Sequence, residues 1–133
     1  MREVVIVDSV RTGLAKSFRG GFNQTRADDM TAHIIDALMD RNPGVDPQSV
    51  EDVILGCGYP EGAQGNNIAR TSAVLSKLPI QTGGTTVNRY CSSGLQTIAM
   101  AATQIQSGFT DCVIAGGVES ISTSHGHINT YMF

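Results

Sequence analysis

The chain has 133 residues, 41% of them apolar and 16% charged, with a formal net charge of −3. That is the composition of one ordinary globular domain, and it excludes a disordered segment. Without a basic cluster there is no electrostatic footprint for nucleic acid and no polybasic membrane patch, and no apolar run approaches the roughly 20 residues that span a bilayer.

The first run of structure-forming residues starts at Glu3 with neither a charged leader nor a signal-type apolar stretch before it, so a cytoplasmic protein is expected. Val4 to Val7 is the first of four short runs dominated by β-branched residues; the others are Val53 to Leu55, Thr85 to Asn88 and Val113 to Ala115. Runs that are apolar at nearly every position mark strands covered on both faces, and helical segments lie between them. The reading is an α/β layered fold of four mostly parallel strands with helices on both faces.

Arg11 to Asn23 has neither strand nor helix period and reads as a long connection, a surface loop in preference to a binding loop. A helix follows from about Ala27 to Arg41, with Met30, Ile34 and Leu38 four apart and Ile35 and Met39 beside them as one apolar stripe. Thr25 and Asp28 have capping-box spacing, Asp28-Asp29 suits the positive end of the helix dipole, and Asn42-Pro43-Gly44 ends the segment. Asp46-Pro47 is an N-cap and first-turn pair that opens one short turn before the second strand. Gly56 to Gly62 is a glycine-rich turn; its GxGxxxG spacing and Pro60 speak against a dinucleotide fingerprint. A second helix is expected over about Asn67 to Lys77, stopped by Pro79.

The third helix, about Ser92 to Ser107 with Gly108 as its C′ residue, contains no Lys, Arg, Asp or Glu. Such a segment should be buried nearly all round, which four strands alone cannot achieve, so a partner surface is expected. At its head sits Cys91, between the extended run Thr85 to Tyr90 and the helical run that begins Ser92-Ser93-Gly94-Leu95. Unpaired amide groups and the macrodipole at a helix N-terminus favour thiolate over thiol, which makes Cys91 a candidate nucleophile. Ser92 and Ser93 are N-cap types, and Gly94 leaves room for a close neighbour. The order strand, nucleophile, helix is the device of the nucleophile elbow, although Gly-x-Ser-x-Gly is absent. Cys57 and Cys112 end and open strand runs and read as packed, reduced thiols; three cysteines without a CxxC fit neither a disulfide framework nor a zinc site.

The stretch Val87-Asn88-Arg89-Tyr90-Cys91-Ser92-Ser93-Gly94-Leu95-Gln96-Thr97-Ile98 resembles the active-site signature of the thiolases, the acetyl-CoA acyltransferases. Val5-Ile6-Val7-Asp8-Ser9-Val10-Arg11-Thr12, Gly65-Asn66-Asn67-Ile68-Ala69-Arg70 and Ala115-Gly116-Gly117-Val118-Glu119-Ser120 agree with the family in order and spacing. Gly13 departs from it, standing where many members carry proline. The resemblance places the front of the thiolase N-terminal domain at 1–122 and the start of the following loop region at 123–133, an incomplete first half of the family fold. It implies thiolytic cleavage or Claisen condensation of β-ketoacyl-CoA through an acyl-cysteine at Cys91, with coenzyme A thioesters as substrates and no bound cofactor or metal. It also implies that the base, a histidine of a Gly-His-Pro motif, and the second cysteine, of a Cys-x-Gly motif, belong to a back half. The 133-residue chain by itself is therefore expected to be inactive or nearly so.

Gln64 to Arg70 resembles a segment near the family's subunit contact, which implies a homo-oligomer for an intact parent. Two alternatives stand beside this reading: a ketoacyl-synthase-like condensing enzyme, whose flanking residues match less well, and a non-catalytic module that docks through the third helix. His33 reads as an ordinary, partly exposed histidine. His125 and His127 lack a carboxylate or cysteine to complete a metal site, and Gly126-His127 followed by Ile128 is not a Gly-His-Pro.

Overall fold

The computed structural model describes residues 2–124. Three parallel strands, β1 (Asp52–Gly56), β2 (Gly83–Val87) and β3 (Val113–Gly117), form a sheet in the order β2-β1-β3. Asp52 pairs with both Gly83 and Val113, and Gly56 with both Val87 and Gly117, so the three strands end level. Parallel neighbours need crossover connections. These are the helices α2 (Ile68–Leu75) and α3 (Ser93–Gln106), while α1 (Ala27–Arg41) precedes the sheet and a short α4 (Ile121–Ser124) follows it.

Successive strand residues face opposite sides. Val53 and Leu55 of β1 meet Ile35 and Met39 of α1 and Ala69 and Ala73 of α2 in the main core. Ile54, fully buried, belongs with Gly56 to the other face, where the head of α3 lies so close that an added Cβ on Gly56 would stand 2.4 Å from the Ser93 carbonyl carbon. Helices therefore cover both faces of the sheet, as the fold class anticipates.

Several local signals are realised. Asp46 accepts the Gln48 N–H at 2.9 Å and opens a 3-10 turn at Pro47–Ser49. Asn67 caps α2 by accepting the Arg70 N–H at 3.2 Å, and α2 ends at Leu75, two residues short of the expected Lys77. Gly108, at φ 75°, closes α3 with its N–H on the Ile105 carbonyl.

Four expectations are corrected. The run Val4 to Val7 is not a strand: Val5, Ile6 and Val7 are 69%, 79% and 72% exposed. The segment is tied at its ends, by the Arg2–Asp111 ion pair at 2.5 Å and by Asp8, which accepts from Arg41 at 3.0 Å and Asn42 at 2.9 Å. Between these ties it spans an apolar groove of about 770 Å³ shared with Val113 to Ala115. A β-branched run records capacity for a ladder, and the ladder exists only where hydrogen-bonding edges meet. The capping box is also absent, because Arg26 occupies the N-cap position and its guanidinium takes the buried Asp28 carboxylate at 2.6 and 3.0 Å. Of the expected apolar stripe of α1 only Ile35 and Met39 are buried, together with Thr31, while Met30, Ile34 and Leu38 are half-buried.

Finally, α3 is buried on one face only, through Ser93, Thr97 and Ala101, while Leu95 is 73% and Ile98 43% exposed. One sheet covers one face of a helix, and here that sheet has three strands. The Thr97 hydroxyl, 2.8 Å from the carbonyl oxygens of both Gly94 and Gly116, ties the covered face to β3.

Candidate active site

The carboxyl ends of the three strands converge, and that rim is where open α/β sheets place their ligands. From β1 the rim receives Cys57 to Gln64, from β2 Asn88 to Cys91, and from β3 Glu119 and Ser120. Cys91 is exposed, directly ahead of the first turn of α3. Its predecessor Tyr90 has φ 47°, a left-handed conformation that bulky residues rarely adopt. The turn is built from its own serines. Ser93 Oγ accepts the Arg89 N–H at 2.8 Å and donates to the Tyr90 carbonyl at 2.6 Å, and Ser92 Oγ donates to the Arg89 carbonyl at 2.9 Å. Neither serine caps the free amides of α3 in the manner expected from sequence, since both are spent on shaping the elbow. The Arg89 guanidinium donates to Gln96 Oε1 on the following helix.

A second layer of polar groups, unmarked in the sequence reading as functional, surrounds this turn. Asn88 accepts the Tyr90 N–H at 2.9 Å and donates its amide to the Gly58 carbonyl at 3.1 Å. The Glu119 carboxylate accepts from Gly58 N–H at 2.7 Å, Tyr59 N–H at 3.3 Å and Gln64 Nε2 at 2.5 Å. Gln64, itself fully buried, also accepts the Ser120 N–H at 2.7 Å. Apart from the local Asn88–Tyr90 bond, these partners lie 30 to 61 positions apart in the chain, and no local spacing rule could have joined them.

The other thiols behave as packing groups. Cys57 is 1% exposed, and burial, reinforced by the nearby Glu119 charge, pushes its pKa up to about 12. Cys112 is raised from the ordinary value chiefly by burial as well. Iodoacetamide near neutral pH is expected to label Cys91 first, with Cys57 the slowest, because only thiolate that reagent can reach reacts. Equal labelling of all three thiols in peptide mapping would contradict this placement.

The raised Cys57 value carries a stability consequence. Below its ordinary value of 9.0 both folded and unfolded thiols hold the proton; as pH rises toward about 12 the unfolded thiol ionises first. Folding stability is thus expected to fall through that window, and Cys57→Ala should lessen the fall. Urea midpoints at about pH 8 and about pH 10.5 for both proteins measure it; an equal alkaline loss in the variant would count against the burial account.

His33 is exposed, as expected; His125, Gly126, His127 and Ile128 lie outside the described residues. Among the described residues no group of three or more His, Cys, Asp or Glu side chains could hold a metal ion, and no helix is long and apolar enough to cross a membrane.

Residues 4–132 match the family model for the thiolase N-terminal domain. Among curated proteins the chain is similar to the 3-ketoacyl-CoA thiolase of Aeromonas salmonicida (strain A449), 43% identical over 129 residues that cover 95% of this chain and 33% of that protein. It is likewise similar to the 3-ketoacyl-CoA thiolase of Aliivibrio fischeri, 44% identical over 128 residues covering 96% of this chain and 32% of the relative. The chain thus spans about a third of the length of the curated relatives it matches. With the match running through every strand of the sheet and through the elbow at Cys91, the chain belongs to the thiolase family, in the N-terminal domain.

Proposed function

We propose that the chain is the nucleophile-bearing front of a thiolase-type acyltransferase, with residues 1–122 as the front of the N-terminal domain and 123–133 as the start of the next loop region. The observation that carries this reading is the exposed Cys91 on a shaped turn at the head of α3, in a chain whose relatives are named 3-ketoacyl-CoA thiolases. The Cys91 thiolate attacks the keto carbonyl of a β-ketoacyl-CoA. The carbon–carbon bond breaks, its electron pair leaves with the acetyl-CoA fragment, and that carbon takes a proton. The acyl group stays on sulfur as a thioester until a second CoA thiol attacks, releases the shortened acyl-CoA and restores Cys91. The reverse sequence is a Claisen condensation. The Cys91 backbone N–H is a donor suited to the oxyanion of the thioester step.

The base and the acid/base for the acetyl carbon come from outside this chain, so the chain alone is inactive or nearly so, and the competent form is a cytoplasmic homo-oligomer of the whole protein acting on CoA thioesters without a bound cofactor. The exposed apolar face of α3 supports the need for that remaining part.

The test is to join this chain to the back two-thirds of the Aeromonas salmonicida relative and to trap the acyl intermediate by mass spectrometry after exposure to acetoacetyl-CoA. An acetyl adduct on Cys91 is expected. A folded, oligomeric assembly that forms no adduct on Cys91 would overturn the proposal and leave the docking-module reading.

A further inference from the structure

Three hydrogen bonds connect Glu119 to the residue that precedes Cys91, although the two share no direct bond: Glu119 accepts from the Gly58 N–H, the Gly58 carbonyl accepts from the Asn88 amide, and Asn88 accepts from the Tyr90 N–H. Each end of this relay is anchored. On one side Glu119 is held by buried Gln64, which in turn takes the N–H of Ser120, the residue after Glu119. On the other, the Tyr90 carbonyl accepts both the N–H and the hydroxyl of Ser93, at 3.1 and 2.6 Å. Tyr90 itself sits at φ 47°, a conformation that an aromatic residue keeps only when its surroundings over-determine it.

We propose that Glu119 and Asn88 are positioning residues for Cys91, acting through Gly58 to hold Tyr90 in its left-handed conformation and so to aim the elbow. A carboxylate suits this task because its two oxygens can meet three donors from one loop, the amides of Gly58 and Tyr59 and the side chain of Gln64. The relay also links all three strand ends, so the aim of Cys91 is set by the sheet as a unit. Its consequence for catalysis rests on the acyl-transfer reading; its consequence for the shape of the elbow does not.

Two measurements separate the two. On the full 133-residue chain, NMR of Glu119→Ala should show the Tyr90 coupling and the Tyr90 and Cys91 amide shifts leaving their left-handed values, with Glu119→Gln, which keeps one oxygen, intermediate. In the assembled enzyme described above, Glu119→Ala and Asn88→Ala should each lower kcat by up to the order of 10²-fold while KM holds within about twofold, because a misaimed nucleophile loses rate and not substrate binding. The double variant should be no slower than the slower single variant, since both act through one relay, whereas losses from general destabilisation would multiply. Should Glu119→Ala prevent folding, Glu119→Gln and Asn88→Ala carry both readouts. A Tyr90 that stays left-handed in these variants, or losses that multiply, would overturn the proposal. If the unsubstituted assembly never acylates Cys91, the acyl-transfer reading fails while the NMR outcome still decides the relay.

Discussion

Cys91→Ser in the assembled enzyme is expected to lose roughly 10³-fold or more in kcat, and Cys91→Ala to lose acyl-enzyme formation altogether. Serine keeps the size and the turn, since Cys91 is exposed and no core atom depends on its sulfur. What disappears is the proposed nucleophile, because a hydroxyl's conjugate anion is far harder to form than a thiolate. The check is steady-state thiolysis of acetoacetyl-CoA together with urea unfolding of the same variants. Stability should be unchanged within about 0.5 kcal/mol, as for an exposed site. Activity within tenfold of the unsubstituted enzyme, at unchanged stability, would remove Cys91 from the chemistry.

The second large effect is on folding. Gly84→Ala and Gly56→Ala should each destabilise the chain by up to about 3 kcal/mol, the upper part of the range for overpacking a filled interior. A Cβ on Gly84 would stand 2.4 Å from both the amide nitrogen and the Cα of Arg70 in α2, and one on Gly56 would stand 2.4 Å from the Ser93 carbonyl carbon and 2.5 Å from the Gly94 nitrogen. All are backbone atoms, so relief requires a helix to move away from its strand. Gly94→Ala is the control. Its added carbon would have a nearest neighbour only at 4.0 Å, and alanine in a helix is favoured over glycine by about 1 kcal/mol. Urea midpoints for Gly84→Ala and Gly56→Ala equal to that of Gly94→Ala would refute this account of how α2 and α3 seat on the sheet. The sequence reading placed the need for space at Gly94; the structure puts the indispensable absence of a side chain beneath that residue, on the strand.

Much of the architecture was legible because it depends on short-range patterns. Three of the four β-branched runs became parallel strands, the positions of α1, α2 and α3 follow their expected limits to within two residues, and Asp46-Pro47 and Gly108 do what their residue types allow. Those features depend on neighbours a few residues away, where side-chain type and spacing decide. Val4 to Val7 shows the limit of that logic. Its residues suit a strand, yet pairing needs a free edge in register, and the segment instead crosses a groove between two polar ties. The Thr25 capping box failed for a similar reason, because Arg26 supplied the Asp28 carboxylate with a charged partner.

By itself, then, the sequence determined the kind of elements, their order, the position of Cys91 at the strand-to-helix joint and the family motifs around it. Only the tertiary structure decided which face of α3 is covered, and that Asn88, Gly58, Gln64 and Glu119 converge on the turn at Tyr90. The division has one physical cause. Propensity and periodicity act over a turn of helix or a few strand residues, whereas the relay spans as many as 61 positions between Gly58 and Glu119 and exists only because three parallel strands end side by side.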